Sequence, residues 1–143
     1  MNIAVLTQAA VRTFEELCFL DAQPVTDAST RAPTRGARVT FRGPRRGTLT
    51  VRMPEAALRE AADNMLGPQS DGSPPVLDDV AREITNVVCG HVLPLMGDEG
   101  AVFDISAPAM VDAGDAGPGA QTAEVCIGGM VATVSMTLET AGG

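Results

Sequence analysis

Asp79-Val80-Ala81-Arg82-Glu83-Ile84-Thr85-Asn86-Val87-Val88-Cys89-Gly90-His91 is the stretch on which the reading of this chain turns. At about 100° per residue, Val76, Val80, Ile84, Val87, Val88, His91 and Leu95 fall on one arc of a helix. Asp79, Glu83, Asn86 and Gly90 fall on the opposite arc, at steps of four, three and four residues. Side chains at those steps are surface neighbours. The stretch therefore predicts a long amphipathic helix with one carboxylate and one carboxamide a single turn apart. A glycine follows a turn later. Glycine inside a helix costs roughly 1 kcal/mol relative to alanine, so Gly90 asks for a reason, and close approach of another backbone is one. The helix is expected to begin near Val76, after the Gly/Pro-rich loop Gly67 to Pro75, and to kink or end at Pro94, which lacks the N–H the ladder needs.

Upstream, Ile3, Leu6, Ala10, Phe14, Leu17 and Leu20 recur at helical steps and predict a helix over residues 3–20. Asp21 to Arg35 reads as a polar loop with room for a short strand. Val39 and Phe41 alternate with Arg38, Thr40 and Arg42. Leu49, Val51 and Met53 alternate with Thr48, Thr50 and Arg52, across Gly43-Pro44-Arg45-Arg46-Gly47. Period-two runs about a Gly/Pro turn predict an antiparallel hairpin with one buried face. Pro54 and Gly67 bracket a further helix carrying Leu58, Ala61, Ala62, Met65 and Leu66. Downstream, residues 101–111 look extended, with Pro108 confining any pairing to an edge or a bulge. Asp112 to Gln121 reads as a mobile loop. Thr122–Ile127 and Met130–Leu138 read as strands joined by Gly128-Gly129, a two-residue hairpin signal. The fold class is α+β: an antiparallel sheet packed by one long helix and two further helices.

The 143 residues fit one domain, taken as 1–143, and 45% apolar composition supplies a core that is aliphatic, since aromatics are 3% and Trp and Tyr are absent. That composition argues against base- or sugar-stacking functions. A formal net charge of −8 argues against nucleic acid and anionic membrane as partners. All ten basic residues are arginine, and seven of them, Arg31, Arg35, Arg38, Arg42, Arg45, Arg46 and Arg52, lie between positions 31 and 52. This run reads as a solvated strand face and turn, with an acidic partner as the alternative. Cys18, Cys89 and Cys126 have no C-x-x-C spacing and sit in apolar runs, which predicts buried free thiols and a reducing, cytoplasmic setting. No signal peptide is expected, and no apolar run reaches the roughly 20 residues of a membrane span.

Standard catalytic templates are missing. The single histidine, His91, lies on the apolar arc and reads as a core residue rather than as a base. Gly114, Gly117 and Gly119 precede a strand, not the helix a phosphate loop requires. Asp78 and Asp79 alone make no metal site. Glu83 with Asn86 remains: either a polar pair that only solvates a helix, or a docking surface. Asparagine is a mediocre helix-interior residue because its amide competes with the backbone.

Asp79-x-x-x-Glu83-x-x-Asn86 followed by Gly90 resembles the signature of the CheC/CheX/FliY chemotaxis phosphatases. The hairpin around Gly43 and Gly47, the helix ending Met65-Leu66-Gly67, and Ile105-Ser106-Ala107-Pro108 after the signature helix are similar to the CheX-like branch. Only one copy of the motif is present, since Glu15 and Glu16 are followed by Leu17 to Leu20 and no asparagine. That again favours the CheX-like branch. The resemblance implies hydrolysis of the phosphoaspartate of a CheY-like response regulator, with no cofactor of the chain's own and Mg²⁺ on the receiver partner. It implies that Asn86 orients the attacking water and that Glu83 pairs with the receiver's lysine. Asp79 either supports the helix start or lies at the interface edge, and Gly90 gives the partner clearance. The alternative is a non-catalytic module that docks a receiver or flagellar-switch protein. The resemblance also implies a homodimer paired through its sheets, for which the final strand is the expected edge.

Overall fold

The computed structural model describes residues 3–32, 34–67, 71–96, 100, 102–111 and 120–139. Helix α1 (Ile3–Glu16) leads into a short strand β1 (Ala22–Pro24), then the hairpin β2 (Thr34–Arg42) and β3 (Gly47–Pro54). Helices α2 (Glu55–Leu66) and α3 (Pro74–Val92) follow, with a 3₁₀ turn over Leu93–Met96. Strands β4 (Asp104–Ile105), β5 (Ala109–Val111), β6 (Gln121–Ile127) and β7 (Met130–Leu138) complete the order. The strands form one antiparallel sheet in the order β1-β6-β7-β3-β2-β4, with β5 also paired to β2.

Alternation sorts the sheet into two faces. Ala37, Val39 and Phe41 of β2, Leu49, Val51 and Met53 of β3, Ala123, Val125 and Ile127 of β6, and Ala132, Val134 and Met136 of β7 are buried in one core. All three helices pack on that face, through Leu6, Ala10 and Phe14 of α1, Leu58 and Ala61 of α2, and Leu77, Ile84 and Val88 of α3. The opposite face carries Arg38, Thr40, Thr48, Thr50, Thr133, Ser135 and Thr137, and no helix among the described residues packs on it. Two side-chain contacts lie on it: Arg38 Nε donates to Thr50 Oγ1 at 2.9 Å, and the Thr122 and Ser135 hydroxyls lie 2.9 Å apart. The predicted α+β class, the β2–β3 hairpin and the Gly128-Gly129 turn are all present. Gly128 and Gly129 have φ of 58° and 81°, the left-handed pair that a two-residue hairpin turn demands.

Several expectations need correction. The first helix stops at Glu16, not at position 20. Phe19 adopts φ 54°, and Leu20 N–H turns back to Phe14 O at 2.9 Å, so the chain reverses while Cys18 and Leu20 still reach the core. The apolar spacing continued past the helix because the core did. Strand β2 begins at Thr34, inside the predicted loop. Leu95, assigned to the apolar arc, is 43% exposed, because the chain tightens into a 3₁₀ turn around Pro94 and rotates it outward. The final strand is no edge: β7 pairs with β3 on one side and β6 on the other, so it has no free ladder to offer a second copy. Of the predicted loop over Asp112 to Gln121, residues 112–119 lie outside the described residues and Gln121 opens β6. Gly97 also lies outside them. No described helix is long and apolar enough to cross a membrane.

Candidate functional site

Helix α3 is started by its prolines and held by its inner face. Pro74 and Pro75 occupy the first helical positions, where a missing N–H costs nothing. Ser73, extended at φ −66° and ψ 155°, accepts Leu77 N–H at its carbonyl at 2.9 Å, and its own N–H is held by Asp71 Oδ1 at 2.9 Å. Leu77, Val80, Ala81, Ile84, Thr85, Val88, Cys89 and Val92 are buried. Each fully buried aliphatic side chain contributes about 1.5–3 kcal/mol, so the orientation of the helix about its axis is fixed by the core. The outer face is thereby fixed too, and Asp79, Glu83, Asn86 and Gly90 are all exposed on it.

The facing wall comes from the sheet edge. Asp104 and Ile105 pair with Arg42 and Phe41; Ala109, Met110 and Val111 pair with Arg38, Ala37 and Gly36. Between these ladders β2 spends two residues, Val39 and Thr40, while the outer chain spends three, Ser106, Ala107 and Pro108. The outer chain is therefore bulged by one residue. Ser106 anchors the bulge, with its N–H on Thr40 O at 2.8 Å and its Oγ accepting Thr40 N–H at 2.8 Å. Phe103 packs edge-on against Phe41, ring centroids 6.2 Å apart. Pro108 has no N–H to lose, so it suits the unpaired stretch.

Asp79, Arg82, Glu83 and Asn86 line one side of a shallow groove of about 290 Å³, and Ala107 and Pro108 line the other. Three of the four sequence-predicted residues thus meet in one groove. Gly90 lies a turn beyond Asn86 on the same face. A Cβ built there would meet nothing within 4 Å among the described residues, so no packing among them requires this glycine. Arg82 donates from Nη2 to Asp79 Oδ1. Among the described residues, the side chains of Glu83 and Asn86 have no hydrogen-bond or ion-pair partner. The groove therefore holds one neutralised pair, one free carboxylate and one free carboxamide.

Arg82 and the Ala107–Pro108 wall were not singled out from the residues alone. Arg82 could have been: it stands three residues after Asp79 and four before Asn86. The wall could not, because contact between residues 86 and 107 depends on sheet topology.

The neighbouring titratable groups point away from this groove. Asp78 accepts from Arg35 Nη1 at 3.0 Å, and Glu55 lies 3.7 Å from Arg35 Nη2 and 3.1 Å from Arg59. Asp78 and Asp79 thus serve different arginines. No group of three His, Cys, Asp or Glu able to hold a metal occurs among the described residues. Burial pushes the thiols of Cys18 and Cys89 up to about 12, which leaves them inert. His91 is half-buried at the edge of the core, not within it. Thr13 spends its hydroxyl proton on Ala9 O at 2.8 Å, so His91 Nδ1–H donates to Thr13 Oγ1 at 2.9 Å. Desolvation, and then the charge of Arg12, hold its pKa below the ordinary value, while Glu16 opposes them. His91 ties α3 to α1 and faces away from the groove residues.

A sequence profile of the family described as chemotaxis phosphatase CheX matches residues 35–127, from the second residue of β2 to the end of β6. That span includes every residue lining the groove. No curated protein sequence matches the chain. Among solved structures, the chemotaxis protein CheX from Desulfovibrio desulfuricans is similar at 17% identity, with a TM-score of 0.77 over 97% of this chain and 100% of that one. The chemotaxis protein CheX from Vibrio vulnificus is similar at 20% identity, with a TM-score of 0.75 over 94% and 97%. A Borrelia burgdorferi structure described as a CheX–CheY–BeF3–Mg²⁺ complex is similar at 15% identity, with a TM-score of 0.65 over 96% and 97%.

Proposed function

Because this chain belongs to the chemotaxis phosphatase CheX family, we propose that it hydrolyses the phosphoaspartate of a CheY-like receiver, using the outer face of α3. The observation that carries the reading is the pair of unengaged side chains, Glu83 and Asn86, one turn apart on a rigidly held helix beside a groove. In support, the Borrelia burgdorferi relative of this fold was solved with CheY, BeF3 and Mg²⁺.

The reaction needs little from the phosphatase. Water oxygen attacks phosphorus in line, the bond from phosphorus to the aspartyl oxygen breaks, and the aspartate leaves as a carboxylate with inorganic phosphate as the second product. Such transfers are catalysed by positioning and charge neutralisation rather than by covalent chemistry. Mg²⁺ held by the receiver neutralises phosphoryl charge. Asn86 supplies what remains, a fixed water. Its carboxamide offers both a donor and an acceptor and stays neutral beside an anion. Holding a water in attack geometry lowers the barrier by several kcal/mol. Glu83, three residues before it, accepts from a lysine of the receiver and sets the register of docking. Gly90 lets the partner backbone approach.

The test is phosphate release from a phosphorylated receiver of the host, with Mg²⁺ present. Wild-type protein speeds the loss, and Asn86→Ala removes the acceleration without changing thermal unfolding. An Asn86→Ala variant that works at the wild-type rate rejects the mechanism. Binding of the receiver with an unchanged phosphate lifetime leaves a docking module in place of an enzyme.

A further inference from the structure

The groove contains a cation that the proposed chemistry leaves unused. Arg82 lines it together with Asn86, from one helical turn earlier. Its side chain is 36% exposed and rests against Asp79, which is 74% exposed. Two rows of side chains lead from Asp79 to Asn86, one through Glu83 and one through Arg82, so the carboxamide is flanked by an anion on one row and a cation on the other. We infer that Arg82 is a specificity-determining residue of this site, whose guanidinium leaves Asp79 to engage anionic oxygens on the phosphorylated partner. This rests on the phosphatase reading above.

Three physical points carry it. An exposed pair such as Arg82–Asp79 is worth about 0–1 kcal/mol in water, so giving it up on docking costs little. Closing the groove removes that water, and a guanidinium then gains from any anion it meets, because its planar fork matches phosphoryl and carboxylate oxygens. The site would otherwise be wrong for its ligand: without Arg82, the only charged groups lining the groove are the carboxylates of Asp79 and Glu83. Asp79 meanwhile keeps the guanidinium on the groove side of the helix while the site is empty. The Arg59–Glu55 pair offers no equivalent, since it stands on α2 outside the groove.

The anionic oxygens have two sources: the phosphoryl group, or carboxylates surrounding it on the receiver. Both are probed by titrating the host receiver, phosphorylated with a small-molecule phosphodonor or left unphosphorylated, against wild type, Arg82→Lys and Arg82→Gln. Arg82→Gln is expected to raise KM for the phosphorylated receiver about tenfold, as the loss of one charge-assisted contact does, with kcat little changed. It should also flatten the dependence of KM on ionic strength, a readout that a structural role for Arg82 would not move. Arg82→Lys should restore the salt dependence but only part of the affinity. Weakening confined to the phosphorylated receiver assigns the phosphoryl oxygens, and equal weakening of both forms assigns the carboxylates. Unchanged KM and unchanged salt dependence in Arg82→Gln, with wild type active, overturn this inference alone. A wild-type protein inactive on every host receiver overturns it together with the phosphatase reading.

Discussion

Along the inner face of α3, Leu77, Ile84 and Val88 have no exposed surface, and each is held by neighbours from other elements. Along the outer face, Glu83 and Asn86 have no partner among the described residues, and Gly90 faces open space. The same helical turns thus serve two purposes that separate cleanly. Free energy from the inner face orients the helix and leaves the outer face free of structural duty. No packing demand falls on a residue there, so an asparagine and a glycine can stand inside a helix that neither favours.

Substitutions test that division. Ile84→Ala empties a fully buried site and is expected to cost about 2–5 kcal/mol, read from the midpoint of urea unfolding, while activity per folded molecule persists. Loss of activity at full folding would show that the two faces are coupled. Asn86→Ala should do the reverse: at least about a 10²-fold loss of turnover, with an unchanged unfolding midpoint. Gly90→Ala brings both faces into one measurement. A methyl group there meets nothing among the described residues, so the helix should gain about 1 kcal/mol, seen as a higher Tm. Phosphate release should nevertheless slow, because the partner meets the added carbon. A more stable Gly90→Ala protein with wild-type turnover would remove the clearance role.

The smallest effect concerns the rim between the faces. His91 has a folded pKa below its unfolded value, so the unfolded chain binds more protons in the window between the two. Its contribution to stability is intact above about pH 6.5 and declines as pH falls through that window. Wild-type Tm should therefore drop more than that of His91→Gln between pH 7.5 and pH 5.5. Equal drops in both proteins would place the acid sensitivity elsewhere.

Local periodicity carried much of the fold. The hairpin across Gly43 to Gly47, the turn at Gly128-Gly129 and the two faces of α3 each follow from spacing within a few residues. What spacing could not supply was order across the sheet. The apolar alternation of Met130 to Leu138 suits an edge or a centre equally, and only the pairing of β7 with both β3 and β6 decides between them. The site divides in the same way. That Asp79, Glu83, Asn86 and Gly90 share one exposed face was legible because one helix carries them. The wall at Ala107 and Pro108 was not, because a contact made through two strands leaves no local trace. Nor does spacing state chemistry: a carboxylate and a carboxamide one turn apart suit many partners, and only membership of the chemotaxis phosphatase CheX family points to a phosphoryl group.

The extra residue among Ser106, Ala107 and Pro108 has a second effect, on the company the molecule keeps. Without it, residues 104–111 would run as one unbroken outer strand, its spare N–H and C=O groups in a row, ready to template any extended chain that passed. The bulge cuts that row into pieces of two and three residues, and the proline leaves a gap with no donor at the break. One insertion therefore does two things. It raises the wall of the groove beside α3, and it spoils the margin of the sheet as a seed for aggregation.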